Sequence, residues 1–115
     1  MQDLQREPLG QTRDGQDVER FTLRSTNGLV ARAMSLGATI TQLLVPDRDG
    51  RPTDVVLGFD DLDSYQLHSP YFGCVVGRVA FRIPHAQFTL EGATYRLTRN
   101  SGVHHLHGGQ QGFSW

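Results

Sequence analysis

Six residues near the C-terminus, His104 to Gly109, read HHLHGG and place three imidazoles within four positions, followed at once by two glycines. Imidazole titrates close to neutrality, so it serves as acid, base, hydrogen-bond donor or metal ligand with little tuning. In an extended segment side chains alternate, which would put His105 and His107 on one face and His104 on the other. Two imidazoles on a face make two zinc ligands, whereas a catalytic zinc takes about three protein ligands and an open position. The remaining histidines, His68 and His85, form no second cluster at ligand spacing, which weighs against a metal. Solvated loop residues are the plainest reading of His104 and His105. His107 differs because Gly108 and Gly109 follow it, and residues without side chains permit unusual dihedrals and a close approach of substrate to backbone.

Arginine is the second source of chemistry. Arg78 and Arg82, in GRVAFRI, are four apart, on one face of a strand or neighbours on a helix. A guanidinium among apolar residues needs a partner: a carboxylate of the protein itself, or the hydroxyls or carboxylate of a ligand gripped by its forked donors. The acids do not complete a catalytic set. Asp60, Asp61 and Asp63 fall in a polar loop, Asp47 and Asp49 in a turn, and Glu91 at a hairpin tip, all settings for solvated or turn-forming carboxylates. Cys74 is the single cysteine, so no internal disulfide forms, and its apolar run FGCVVG suits a buried, inert thiol. GCVVGR lacks the spacing of a phosphate loop or a dinucleotide fingerprint.

The elements that must hold these groups read as strands. VERFTLRS (Val18–Ser25) alternates as a half-buried strand does, and Asn27-Gly28 supplies a turn. LVARAMSLGATITQLLVP is β-branched and apolar, with Gly37 suited to a bulge or bend, and ends in the turn PDRDGRP. DVVLGF (Asp54–Phe59) has the apolar run of a buried strand, and Asp60–Pro70 suits a short helical turn with Leu62 and Tyr65, and Leu67 beside them, on one side. In YFGCVVGRVAFRI the glycines at 73 and 77 mark close passage or sharp turning of the backbone, and AQFTLEGATYRLTRN reads as a hairpin turning at Glu91-Gly92. Many short strands and turns point to an antiparallel β-sandwich or barrel. Phe113 and Trp115, in the last three positions, suggest a strand about to begin and a truncated chain.

Composition sets the remaining bounds. The chain has 115 residues, one domain or a piece of one, with 37% hydrophobic and 20% charged residues and a net charge of −1, which gives no electrostatic reason to expect nucleic acid or an anionic membrane. All 11 basic residues are arginine, a bias more in keeping with genome composition than with selection for forked donors. No apolar run approaches the roughly 20 residues of a membrane span. The N-terminus lacks the regions of a signal peptide, so a cytoplasmic location is expected.

Four segments in register, TDVVLGFDDLDSY, YFGCVVGRVAFRI, FTLEGATYRL and LHGGQQGF, resemble the aldose 1-epimerases, also called galactose mutarotases. The early strands LGATITQLLVPDRDGRPTDVVLGF resemble that family too, so the similarity runs from about Val18 to Trp115. It implies that residues 1–115 are the N-terminal part of a single domain, an all-β antiparallel sandwich of the galactose mutarotase-like supersandwich type. It implies interconversion of the α and β anomers of aldohexoses such as galactose and glucose, without cofactor or metal. In that chemistry a glutamate takes the C1 hydroxyl proton, a histidine protonates the ring oxygen, and the opened sugar rotates about C1–C2 and recloses.

By the motif match His107 corresponds to an active-site histidine near the ring oxygen and Arg82 to an arginine that binds sugar hydroxyls. Phe81 stands where the family usually has asparagine, replacing a polar sugar contact with an aromatic face. The family's principal acid and its glutamate base match no residue here, so the chain alone is expected to be inactive. The expected partner is an aldohexose, with a homo-oligomer or a complementing C-terminal chain left open. The competing readings are a non-catalytic carbohydrate-binding module and an assembly fragment whose strand edges another chain completes.

Overall fold

The computed structural model describes residues 3–68 and 70–114. Trp115, half of the aromatic pair read as opening a further strand, lies outside the described residues. The chain forms two compact units, residues 1–74 and 75–115.

In the first unit five strands run antiparallel in chain order: β1 (Asp3–Gln11), β2 (Asp17–Arg24), β3 (Val30–Met34), β4 (Thr39–Pro46) and β5 (Pro52–Asp54). The alternation read in VERFTLRS appears as β2, which buries Val18 and Thr22 on one face. The turn read at Asn27-Gly28 joins β2 to β3, with Gly28 at φ 86°. The long segment after Gly28 divides at Gly37, whose φ of 63° bends the chain between β3 and β4.

β1 carried no readable signal. It is a polar edge strand, and edges are where a proline such as Pro8 is tolerated in a sheet. Its ladder with β2 is flanked by cross-strand charge pairs: Arg6 forks onto Glu19 with both hydrogen bonds at 2.7 Å, and Arg20 Nε donates to Glu7 at 2.8 Å.

The helical turn is a helix, α1 (Leu62–His68). Asp61 caps it by accepting the Ser64 N–H at 2.7 Å, and that bond holds the Asp61 carboxyl below its ordinary value. Tyr65 is buried with Val18 and Met34, with Leu9, Leu36, Phe59 and Leu62 packed around them. The Phe59 ring meets Tyr65 edge-on at 5.3 Å, and the Tyr65 hydroxyl accepts the Phe59 N–H at 3.2 Å. Leu67 departs from the expected apolar side and is exposed.

DVVLGF is not a buried strand. β5 stops at Asp54, whose carboxylate accepts the main-chain N–H groups of Leu43 at 3.0 Å and Val56 at 3.2 Å in place of ladder partners. These bonds, Leu43 first, hold the Asp54 carboxyl below its ordinary value. The chain turns there and leaves Val55 and Leu57 60% and 76% exposed. Cys74 is half-buried rather than buried, with its Sγ against the Tyr71 carbonyl at 3.3 Å.

The second unit is built from two short ladders. β6 (Arg82–Ile83) pairs with β9 (His105–Leu106), and β7 (Gln87–Leu90) pairs with β8 (Ala93–Arg96) in the expected hairpin. Glu91 and Gly92 turn it with φ of 50° and 79°, the paired positive values of a type I′ turn. Phe88 and Tyr95 stack across the arms at 5.1 Å. The run Tyr71–Ile83 contributes only the two residues of β6 to a sheet. Gly77 lies against the Phe113 ring so closely that a Cβ would overlap it, and the Gly77 carbonyl accepts the Phe113 N–H at 3.2 Å. No described helix is long and apolar enough to cross a membrane.

Candidate functional site

β6 and β9 bring the sequence's candidate residues together. Arg82 pairs with Leu106 and Ile83 with His105, so the next rung of the ladder joins Phe81 to His107. Half of that rung is regular: the His107 N–H donates to the Phe81 carbonyl at 3.0 Å. The other half is not. His107 has φ of 50°, which turns its carbonyl out of the ladder, and the Phe81 N–H donates instead to the His107 ring at Nδ1, at 3.0 Å. The imidazole thus stands in for its own main-chain acceptor.

That bond fixes the tautomer. A neutral imidazole that accepts at Nδ1 carries its proton on Nε2, so that nitrogen of His107 is the donor. Gly108 and Gly109 continue the left-handed backbone with φ of 91° and 82°. A Cβ on Gly108 would overlap the Gly77 carbonyl oxygen, and one on Gly109 would overlap the Thr98 hydroxyl and the His105 ring. The two glycines therefore serve close backbone packing beside His107.

The alternation expected of HHLH ends at Leu106. His105 is buried, not solvated: its Nδ1 lies 2.8 Å from the Thr98 carbonyl, which can only accept, so the ring donates from Nδ1. His104 is half-buried and its Nδ1 accepts the His85 N–H at 3.1 Å. Each of the three rings is thus anchored to backbone through Nδ1. His104 and His107, accepting at Nδ1 when neutral, have no lone pair at Nε2 for a metal. The cluster is an anchored turn with one histidine beside Phe81 and Arg82.

Arg82 is exposed, and its guanidinium carbon lies 5.5 Å from the Phe81 ring centroid. Arg78 lies 5.4 Å from the Phe113 ring. Each cation faces an aromatic ring, and the Arg82 guanidinium makes no ion pair among the described residues. Phe81 is 66% exposed and sits at φ of 68°, a region that costs an L-residue about 1–2 kcal/mol and that asparagine tolerates better. From 75 to 115 the single carboxylate is Glu91, at the tip of the β7–β8 hairpin. The arrangement can donate hydrogen bonds from His107 and Arg82 and offer an aromatic face.

A sequence profile of the family described as aldose 1-epimerase matches residues 19–115. This chain belongs to the aldose 1-epimerase family. Galactose mutarotase of Bos taurus is 54% identical over 96 residues, which are 84% of this chain and 28% of the bovine protein. Aldose 1-epimerase of Escherichia coli K12 is 37% identical over 100 residues, 87% of this chain and 29% of that protein. The chain therefore spans under a third of the length of these relatives.

Among solved structures, galactose 1-epimerase from Lactobacillus acidophilus NCFM superposes with a TM-score of 0.78 at 26% identity, covering 97% of this chain and 32% of that one. An aldose epimerase homologue from C. elegans gives 0.73 at 32% identity, covering 97% and 30%. The antiparallel β fold expected from the strand pattern is that of these aldose epimerases.

Proposed function

We propose that this chain carries the sugar-gripping part of a mutarotase site, in which His107 faces the pyranose ring oxygen and Arg82 holds adjacent hydroxyls. The observation that carries the reading is the Phe81 N–H bonded to His107 Nδ1, which puts the neutral ring's proton on Nε2, while the exposed Arg82 guanidinium lies over the ring of the same Phe81. A donor at the ring oxygen stabilises the negative charge that develops there as the C1–O5 bond breaks. A planar guanidinium bridges two neighbouring hydroxyls and fixes the sugar's orientation.

Ring opening also needs a base for the C1 hydroxyl proton, and no residue of this chain is assigned that role. Glu91, at a hairpin tip, is poorly suited to it. General acid–base groups contribute about 10²–10⁴-fold each, so the 115-residue chain alone is expected to leave mutarotation at the buffer rate. Polarimetry on freshly dissolved α-D-galactose and α-D-glucose, with the folded chain and a His107→Ala control, tests this. Acceleration that the substitution abolishes would show that a base is present after all.

The exposed Phe81 ring favours a second reading, a sugar-binding module without catalysis, because aromatic faces stack on pyranose rings. Sugar binding with no rate enhancement in a protein of the relatives' full length would select it.

A further inference from the structure

β9 is gripped from both sides. On one side the flanking residues meet β6 and Phe81, as described. Leu106, between them, pairs with Arg82 but turns its own N–H and C=O the other way, to a single side chain. The Leu106 N–H donates to Asn100 Oδ1 at 2.7 Å, and Asn100 Nδ2 donates to the Leu106 carbonyl at 2.8 Å. One carboxamide thus replaces a whole neighbouring strand, matching donor to acceptor and acceptor to donor. The Asn100 main-chain N–H adds a longer bond to the His104 carbonyl at 3.2 Å, so the clamp spans the start of the histidine segment.

We infer that Asn100 is a positioning residue that sets where the His107 ring stands. Leu106 is the residue immediately before His107, and the φ of 50° at His107 follows at once, so the clamp fixes the point from which the ring must reach the Phe81 N–H. His104 and His105 are held at His85 and Thr98, and the His107 ring is held at the Phe81 rung, the one that directly follows Leu106. Aspartate at position 100 would still accept from the Leu106 N–H but would set a carboxylate oxygen against the Leu106 carbonyl; alanine would remove both bonds. The functional weight of this residue rests on the sugar-site reading of His107, but its test does not.

The test is ¹⁵N NMR of the imidazole rings in this chain at a pH where they are neutral, comparing Asn100→Ala and Asn100→Asp with the parent. In the parent, His107 should show a pyrrole-type Nε2 and an imine-type Nδ1. In both variants its two nitrogens should move toward the average of exchanging tautomers, and the Phe81 amide proton should lose its downfield shift. His104 and His105 should keep their parent patterns. Unchanged His107 nitrogens in either folded variant would overturn the inference. So would loss of folding in Asn100→Asp, the isosteric change, which would make the residue a general scaffold element. Sugar is absent from the experiment, so its failure is distinct from failure of the mutarotase reading.

Discussion

Gly108 separates two kinds of glycine requirement, and alanine substitution measures the difference. Gly92, at the β7–β8 turn, has φ of 79° with nothing within 4 Å of the position a Cβ would take, while Gly108 has φ of 91° with the Gly77 carbonyl oxygen inside overlap distance and Gly112 Cα at 3.0 Å. Alanine at either site meets the left-handed penalty of about 1–2 kcal/mol. It also gains at either site the about 0.4–1 kcal/mol that a less flexible unfolded chain returns. These contributions cancel in the comparison. Gly108→Ala must in addition push backbone apart, and forcing an extra carbon into a packed site typically costs about 1–3 kcal/mol. Urea denaturation followed by circular dichroism should therefore find Gly92→Ala destabilised by roughly 1 kcal/mol and Gly108→Ala by about 1–3 kcal/mol more. Equal losses in the two variants would refute the claim that the glycines after His107 serve close packing.

Acid should weaken the first unit through carboxylates that are hydrogen-bonded only when folded. The Asp54 carboxyl is held below its ordinary 3.8 by the Leu43 N–H, so its contribution is fully present above that value and is lost as pH falls through the lower folded value. Asp54→Asn, whose amide oxygen still accepts but gains no proton, should flatten part of the loss seen below pH 3.8 in acid titrations of stability; an unchanged acid limb would contradict this. Phe81→Asn should stabilise the chain by about 0.5–1 kcal/mol in urea melts, because asparagine tolerates φ of 68° and the ring it replaces is largely exposed. Destabilisation would show that the Arg82–Phe81 contact outweighs backbone strain.

What the sequence disclosed follows from how local its causes are. The hairpin at Glu91-Gly92, the turn at Asn27-Gly28 and the Asp61-capped helix are each set by neighbours a few residues apart, and each is found where the residues indicate. The apolar run DVVLGF misleads because its fate is decided by one carboxylate, Asp54, taking the place of a ladder. β1 escapes notice because its residues are mostly polar and its partner strand begins several positions further on, with cross-strand pairs such as Arg6–Glu19 and Glu7–Arg20 thirteen residues apart. At the site, HHLHGG singles out His107, yet nothing local shows that its ring would accept the Phe81 N–H, 26 positions earlier. The same holds for burial of His105 beneath Gly109 and for the grip of Asn100 on Leu106.

The role of His107 is tested most directly in a complete protein of the family. Residues of this chain would replace the matched 96-residue segment of the bovine galactose mutarotase, and mutarotation of α-D-galactose would be followed by polarimetry with and without His107→Ala. The account predicts an active chimera whose kcat/KM falls by about 10²–10³-fold on substitution, the usual worth of one preorganised donor to a developing oxyanion. An active chimera indifferent to His107→Ala would contradict it.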